Sequence, residues 1–276
     1  MEKLASSSRN RSASPRSGVI VYAKPPGVTS HDVVAQVRRR MPKRTKVGHA
    51  GTLDPFATGL LLILVGKATR AQRFLMALPK TYRAVARLGW TSTTGDPEGE
   101  LSQTGRIPDD PQIPTGDLMQ RPHPYSAVKV EGRRAYDIAR AGEAPELAER
   151  PVTVHRAERV SLDGERAEFD LECSSGTYVR QLVAGLGDAY CERLERTAIG
   201  PFALADADPG RIVPLNQALA FLPERALDEP DADDVAHGRR ISGPIDGPTR
   251  LTAAGELVGI GRPRDGEIQP EVVFVP

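Results

Sequence analysis

One run of residues limits the folds open to this chain. Leu60-Leu61-Leu62-Ile63-Leu64-Val65 is the longest apolar stretch in its 276 residues. Six residues is the length of a buried strand, far short of the ~20 that span a bilayer. No membrane partner is expected. A chain this long can bury a full core, and one large domain plus a small one is the natural partition. With 39% hydrophobic and 26% charged residues, its composition fits a soluble globular protein.

Other elements read around that run. Residues 18–23 predict a strand, closed by Lys24-Pro25-Pro26-Gly27. Thr29 or Ser30 then caps a helix with Val33, Val34, Val37 and Met41 on its apolar face. Residues 48–59 read as a loop, 67–78 as a basic helix, and 82–88 alternate as a half-buried strand does. Residues 91–124, rich in Thr, Gly, Asp and Pro, form an excursion with a short helix near 116–120. A strand at 125–130, a turn at Glu131-Gly132 and a helix at 134–141 follow. Segments 151–160 and 166–173 pair as a hairpin about Asp163-Gly164. Ser174-Ser175-Gly176-Thr177 opens a helix with Val179, Leu182, Val183 and Leu186 on one face. Helix is expected again at 212–222, a boundary at the acidic run 228–234, and a small all-β unit at 250–275. Strands and helices alternate without regular βαβ spacing, so the class is α+β with a mixed sheet.

Charge is distributed unevenly. Residues 1–90 hold 17 Lys and Arg against 3 Asp and Glu; the remainder hold 20 against 33. The overall charge of +1 hides a strongly basic front half, which points to a polyanionic partner unless the acidic remainder folds back over it. The Ser- and Arg-rich residues 1–17 read as a disordered basic tail. Cys173 and Cys191 form no metal pattern and no disulfide framework, and read as core thiols of a cytoplasmic protein.

Between Asp32 and Asp96 a single acidic residue stands, Asp54. Basic residues flank it: Arg38, Arg39, Arg40, Lys43, Arg44 and Lys46 before, Lys67, Arg70 and Arg73 after. A surface that binds a polyanion gains by excluding carboxylates, so one retained at its middle is a candidate for chemistry. Asp54-Pro55 between glycines is equally ordinary turn punctuation. Gly66-Lys67-Ala68-Thr69 fails as a phosphate loop, because Leu61 stands where the first glycine belongs and Ala68 where Ser or Thr belongs. The five histidines are scattered, and no motif for a metal or cofactor is present, so none is expected.

The segment Gly48-His49-Ala50-Gly51-Thr52-Leu53-Asp54-Pro55-Phe56-Ala57-Thr58-Gly59 resembles the active-site loop of the TruB family of tRNA pseudouridine synthases. Four companions agree in order. They are Lys24-Pro25-Pro26-Gly27-Val28-Thr29-Ser30; Lys80-Thr81-Tyr82-Arg83 with Leu88-Gly89; Tyr125-Ser126-Ala127-Val128-Lys129 with Gly132 and Tyr136; and Ser175-Gly176-Thr177-Tyr178-Val179-Arg180. The likeness covers about residues 18–205. Ala23 and Phe56 depart from the family's usual Asp and Leu or Met, at positions assigned no chemistry.

The resemblance implies a pseudouridine synthase fold: a central mixed sheet with flanking helices in a catalytic domain at 18–224. A small β-rich, PUA-like RNA-binding unit would follow at 225–276. It implies isomerisation of the uridine at position 55, in the T loop of tRNA, by a monomer without cofactor or metal. Asp54 would attack the sugar or abstract a proton there, and nearby positive charge favours its ionised form. Arg180 would grip and aim that carboxylate. Tyr82 would stack on the extruded base and assist proton removal from C5. His49, Lys24, Tyr178, Gly51 and Thr52 would contact the substrate, Lys24 by touching phosphate or by buttressing the loop. Arg38, Arg39, Arg40, Lys43, Arg44, Lys46, Lys67, Arg70 and Arg73 would hold the RNA backbone as one continuous face beside Asp54. Two other readings remain open. One is a tRNA-binding and folding module in which catalysis is secondary. The other is a nucleoside hydrolase, for which the acid-poor front half offers no obvious second carboxylate.

Overall fold

A computed structural model describes residues 17–122 and 147–274, with two short strands, Lys129–Val130 and Arg133–Arg134, between them. Residues 1–16 lie outside it. So do Tyr125, Ser126, Ala127, Val128, Gly132 and Tyr136, and with them the turn and helix expected at 131–141, apart from Arg134.

The apolar run forms the strand Thr58–Val65, and all six residues from Leu60 to Val65 are fully buried. Successive side chains of a strand point to opposite faces. Leu60, Leu62 and Leu64 therefore enter one core with Val19, Val21, Phe74 and Leu75. Leu61, Ile63 and Val65 enter another with Ile20 and with Val33, Val34 and Val37 of the helix Ser30–Arg40. Burying each such side chain contributes roughly 2 kcal/mol, enough to hold the strand inside the sheet. Thr29 caps the helix in a reciprocal box with Asp32.

The main sheet has ten strands. Its path runs Val213–Pro214, Gly18–Lys24, Thr58–Val65, Ala189–Ile199, Lys80–Leu88, Arg166–Cys173, Arg150–Asp163, Gly116–Gln120. Phe202–Ala203 and Val47–Ala50 attach beside it. Ala189–Ile199 pairs parallel with Thr58–Val65 and antiparallel with Lys80–Leu88, which makes the sheet mixed. A second, five-stranded sheet holds Glu224–Ala226, Thr249–Ala253, Glu256–Arg264, Glu267–Val273 and Ile241–Ser242. Its Ile260, and Phe274 just beyond its last long strand, join the core that holds Leu62 and Phe74, so one apolar cluster spans both sheets.

Several elements differ from expectation. Residues 116–120 form a strand, because pairing with Arg150–Val154 decides a segment too short to decide for itself. The expected loop at 48–59 begins as the strand Val47–Ala50. The basic helix is a 3-10 turn, Gly66–Ala71, followed by Gln72–Ala77. The helix after Ser174 starts only at Val179, and its cap residue Tyr178 makes no side-chain cap bond. The helix expected at 212–222 shrinks to Leu215–Ala218. The acidic run is itself a helix, Glu229–Ala236, capped by Asp228 with Pro230 in the first turn.

At Gly59 the backbone has φ +102°, and an added Cβ would lie 2.3 Å from the Arg196 carbonyl oxygen. Gly59→Ala is expected to lose about 3 kcal/mol or more of stability, read from urea denaturation.

Candidate active site

The sheet register sets up the site. Lys24 faces Gly59, Gly59 faces Arg196, Arg196 faces Tyr82, and Tyr82 faces Leu171. Directly opposed residues share a face. The Asp54 loop crosses this row. A β-bulge follows Arg196, a device often found beside active sites.

Buried groups hold the loop from below. The Ser30 hydroxyl accepts from Leu53 N (2.8 Å) and donates to Leu53 O (3.2 Å). Gly27 N donates to Pro55 O at 2.9 Å. Lys24, 1% exposed, donates from Nζ to the carbonyls of Pro25 (2.9 Å), Val28 (2.8 Å) and Pro55 (3.2 Å). Its three protons are thereby occupied, which favours the buttress over a phosphate contact. Desolvation pushes the Lys24 amine down to about 8, against the opposing pull of Asp54 and Glu98. Arg196, also 1% exposed, donates from Nε to Leu60 O (2.8 Å), from Nη2 to Gly51 O (3.1 Å) and from Nη1 to Thr52 O (3.4 Å). Gly51 at φ +93° bends the chain over this guanidinium. Lys80, likewise buried, donates to Met76 O and Leu78 O, and burial pushes it down to about 8.

Asp54 and Arg180 meet as expected. Arg180 Nε lies 2.9 Å from Asp54 Oδ2, out of line for a hydrogen bond, so the contact is an ion pair. The arginine's second carboxylate is Asp96. Arg180 Nη1 donates to Asp96 Oδ2 (2.6 Å) and to Thr94 O (3.0 Å). Asp96 Oδ1 accepts from the Thr94 hydroxyl (2.6 Å) and from Glu98 N (3.0 Å). The Asp96 and Arg180 side chains are 4% and 7% exposed, whereas Asp54 is 31% exposed. The inner pair is therefore fixed, and Asp54 is the looser, solvent-facing partner. Desolvation, then Asp96 and Asp54, push the neighbouring Glu98 carboxyl up.

Asp96 and Arg196 escaped the sequence reading. The only signal for Asp96 was its place as the next acid after Asp54; Arg196 sat in a strand whose charges masked it. A second carboxylate, Asp96, from beyond the acid-poor front half, shares Arg180 with Asp54. Asp96 is bound to Arg180, Thr94 and Glu98 and is buried, so it is poorly placed as a general acid.

Tyr82 is 9% exposed, and burial raises its hydroxyl above the ordinary value. Tyr178 is clamped by Gln120, whose Oε1 accepts from Tyr178 N (2.9 Å) and whose Nε2 donates to Tyr178 O (3.3 Å). Arg150 stacks over the Tyr178 ring at 5.0 Å. Tyr178 and Arg180 border a cavity of about 170 Å³ with Ser92, Thr94 and Gln181. His49 lies on the strand Val47–Ala50, and its carbonyl accepts from Gln72 Nε2 at 2.7 Å. Lys46 O accepts from Gly66 N (2.8 Å), which brings the 38–46 cluster beside exposed Lys67. Arg70 and Arg73 are exposed but tied to the last long strand. Arg70 donates to Val273 O at 2.5 Å, and Arg73 pairs with Glu271 at 2.5 Å. Both therefore lie at the border with the second sheet.

The family model of the TruB family pseudouridylate synthase N-terminal domain matches residues 39–179, and that of the pseudouridine synthase II TruB C-terminal region matches residues 223–274. The chain belongs to the TruB family. Among its relatives is the tRNA pseudouridine synthase B of Thermobifida fusca (strain YX), 43% identical, matched over 93% of this chain and 98% of that protein. Another is the tRNA pseudouridine synthase B of Arthrobacter sp. (strain FB24), 38% identical over 94% of this chain and 97% of that protein. Among solved structures, a Cbf5-Nop10-Gar1 complex contains a chain with TM-score 0.68 and 26% identity. That match covers 94% of this chain and 85% of the other. The TruB-type fold expected from the resemblance is the one observed.

Two outcomes follow from this TruB-family geometry. Asp96→Asn keeps the shape but loses the charge that fixes Arg180. Pseudouridine-forming turnover should fall about 10- to 100-fold while RNA affinity, measured alongside, stays level. For Lys24, folding releases a proton between the buried value near 8 and the ordinary 10.5. Its contribution to stability therefore rises with pH across that window. The stability gap between wild type and Lys24→Met should be wider at pH 10 than at pH 7 in urea titrations, and a constant gap would contradict this.

Proposed function

We propose that this chain converts the uridine at position 55, in the T loop of tRNA, to pseudouridine. The observation that carries the proposal is the Asp54–Arg180 ion pair, buried on the arginine side and partly open on the Asp54 side, on a loop matching the family's. Residues 18–224 act as the catalytic domain and residues 225–276 as an RNA-binding unit, in a cytoplasmic monomer.

The target base must leave the T-loop stack, at a cost of a few kcal/mol. Arg38, Arg39, Arg40, Lys43, Arg44, Lys46 and Lys67 are exposed and suited to RNA phosphates, and loop shape supplies most of the recognition. Arg70 and Arg73 contribute from the border with the second sheet. His49, Gly51, Thr52 and Tyr178 surround the extruded nucleotide; Gln120 holds the Tyr178 backbone and Arg150 covers one face of its ring, leaving the other face for the nucleotide.

Asp54 acts on the sugar while Arg180 aims its carboxylate. The N1–C1′ bond breaks, the uracil turns, and C5 bonds to C1′. The proton on C5 then leaves, with Tyr82 adjacent, and N1, freed from the sugar, takes up a proton. Pseudouridine is an isomer of uridine, so electrons and atoms balance without a co-reactant. Lys24 serves the reaction as a buttress.

An unmodified tRNA transcript incubated with wild type and with Asp54→Asn tests this. Pseudouridine should form at the T-loop uridine with wild type only, Asp54→Asn losing at least about 10⁴-fold in rate. Tight binding by both proteins with product from neither would favour a tRNA-folding role instead.

A further inference from the structure

We infer that Arg196 is a positioning residue for the reaction, a single buried guanidinium that sets the Asp54 loop and the Tyr82 hydroxyl relative to one another. The inference rests on the synthase reading above. Arg196 is among the largest fully buried side chains, and among the described residues its bonds go to functional elements. Gly51 O and Thr52 O lie just before Asp54 in the chain, and Leu60 O lies just after the loop. Tyr82 stands directly opposite Arg196 on the neighbouring strand, with its side chain on the same face of the sheet and also buried.

The chemistry of a guanidinium gives this arrangement a direction. Arginine carries five donors and no acceptor. In a bond between Arg196 and Tyr82, the Tyr82 oxygen is the acceptor, and the single tyrosine proton is turned away from Arg196. Such a bond holds the phenol in one rotor state, which a hydroxyl left to itself would not be. A planar fork can reach carbonyls on two sides of a loop and a hydroxyl on another strand at once. A lysine ammonium, a point donor on a flexible stem, cannot reproduce that span. Arg196 is too buried to touch RNA, so its effect should fall on chemistry and not on binding.

The test uses the full chain and a tRNA transcript carrying [5-³H]uridine, whose single-turnover tritium release reports loss of the C5 proton. Arg196→Lys should keep its tRNA Kd within about threefold of wild type and release tritium about 100-fold more slowly. In a Tyr82→Phe background the same substitution should cost about tenfold or less, because the two residues act as one unit. Independently of any Arg196 variant, side-chain NMR of wild type and Tyr82→Phe should differ in one slowly exchanging arginine guanidinium signal. A wild-type rate in Arg196→Lys would overturn the inference. So would an undiminished cost in the Tyr82→Phe background, or arginine signals indifferent to the Tyr82 hydroxyl. A wild type that binds tRNA but releases no tritium would sink the synthase reading itself, and the NMR comparison would still decide the clamp.

Discussion

The site depends on how closely two strands pass at Gly59. The apolar strand Thr58–Val65 is packed on both faces, so its position in the sheet is fixed by core burial. Its second residue, Gly59, carries no side chain, and there the parallel neighbour Ala189–Ile199 comes near enough that a Cβ would strike its backbone. That approach delivers the Arg196 side chain under the Asp54 loop. Any other residue at 59 would push the strands apart and withdraw the support from the loop.

Charge is then handled in two different ways. Lys24, Lys80 and Arg196 are buried cations that meet backbone carbonyls, which ties chain segments together without using carboxylates. Arg180 meets carboxylates, and it meets two of unequal character. Asp96 is buried and multiply bonded, so it anchors the guanidinium; Asp54 is more open and makes the less aligned contact. A buried ion pair of this kind is a poor source of stability. It is a good way to aim a carboxylate that must still reach a substrate.

The sequence made the loop legible because its residues are consecutive: His49 to Gly59 carry their turn chemistry and their aspartate in one stretch. Arg180 was readable for the same reason, being joined to a local motif. Arg196 was not, because an arginine in an alternating charged strand ordinarily faces water. Only the tertiary pairing of Ala189–Ile199 between two central strands turns it inward. Asp96 closed the acid-free stretch around Asp54 but lay in a segment without periodicity, and contacts 84 residues apart in sequence leave no local trace. Gly116–Gln120 failed as a helix because its identity comes from the partner strand. The helix Glu229–Ala236 did carry local signals, Asp228 and Pro230, which the density of acidic residues obscured.

The central claim is that the Asp54 carboxylate, aimed by Arg180, meets the sugar of an extruded uridine. A crystal structure of the chain with a T-arm stem-loop would test it most directly. The account predicts the target uridine out of the loop stack, its ring against Tyr82, and an Asp54 oxygen within about 3.5 Å of the reacting sugar. A uridine still stacked inside the T loop, or one bound with Asp54 turned away from its sugar, would contradict it.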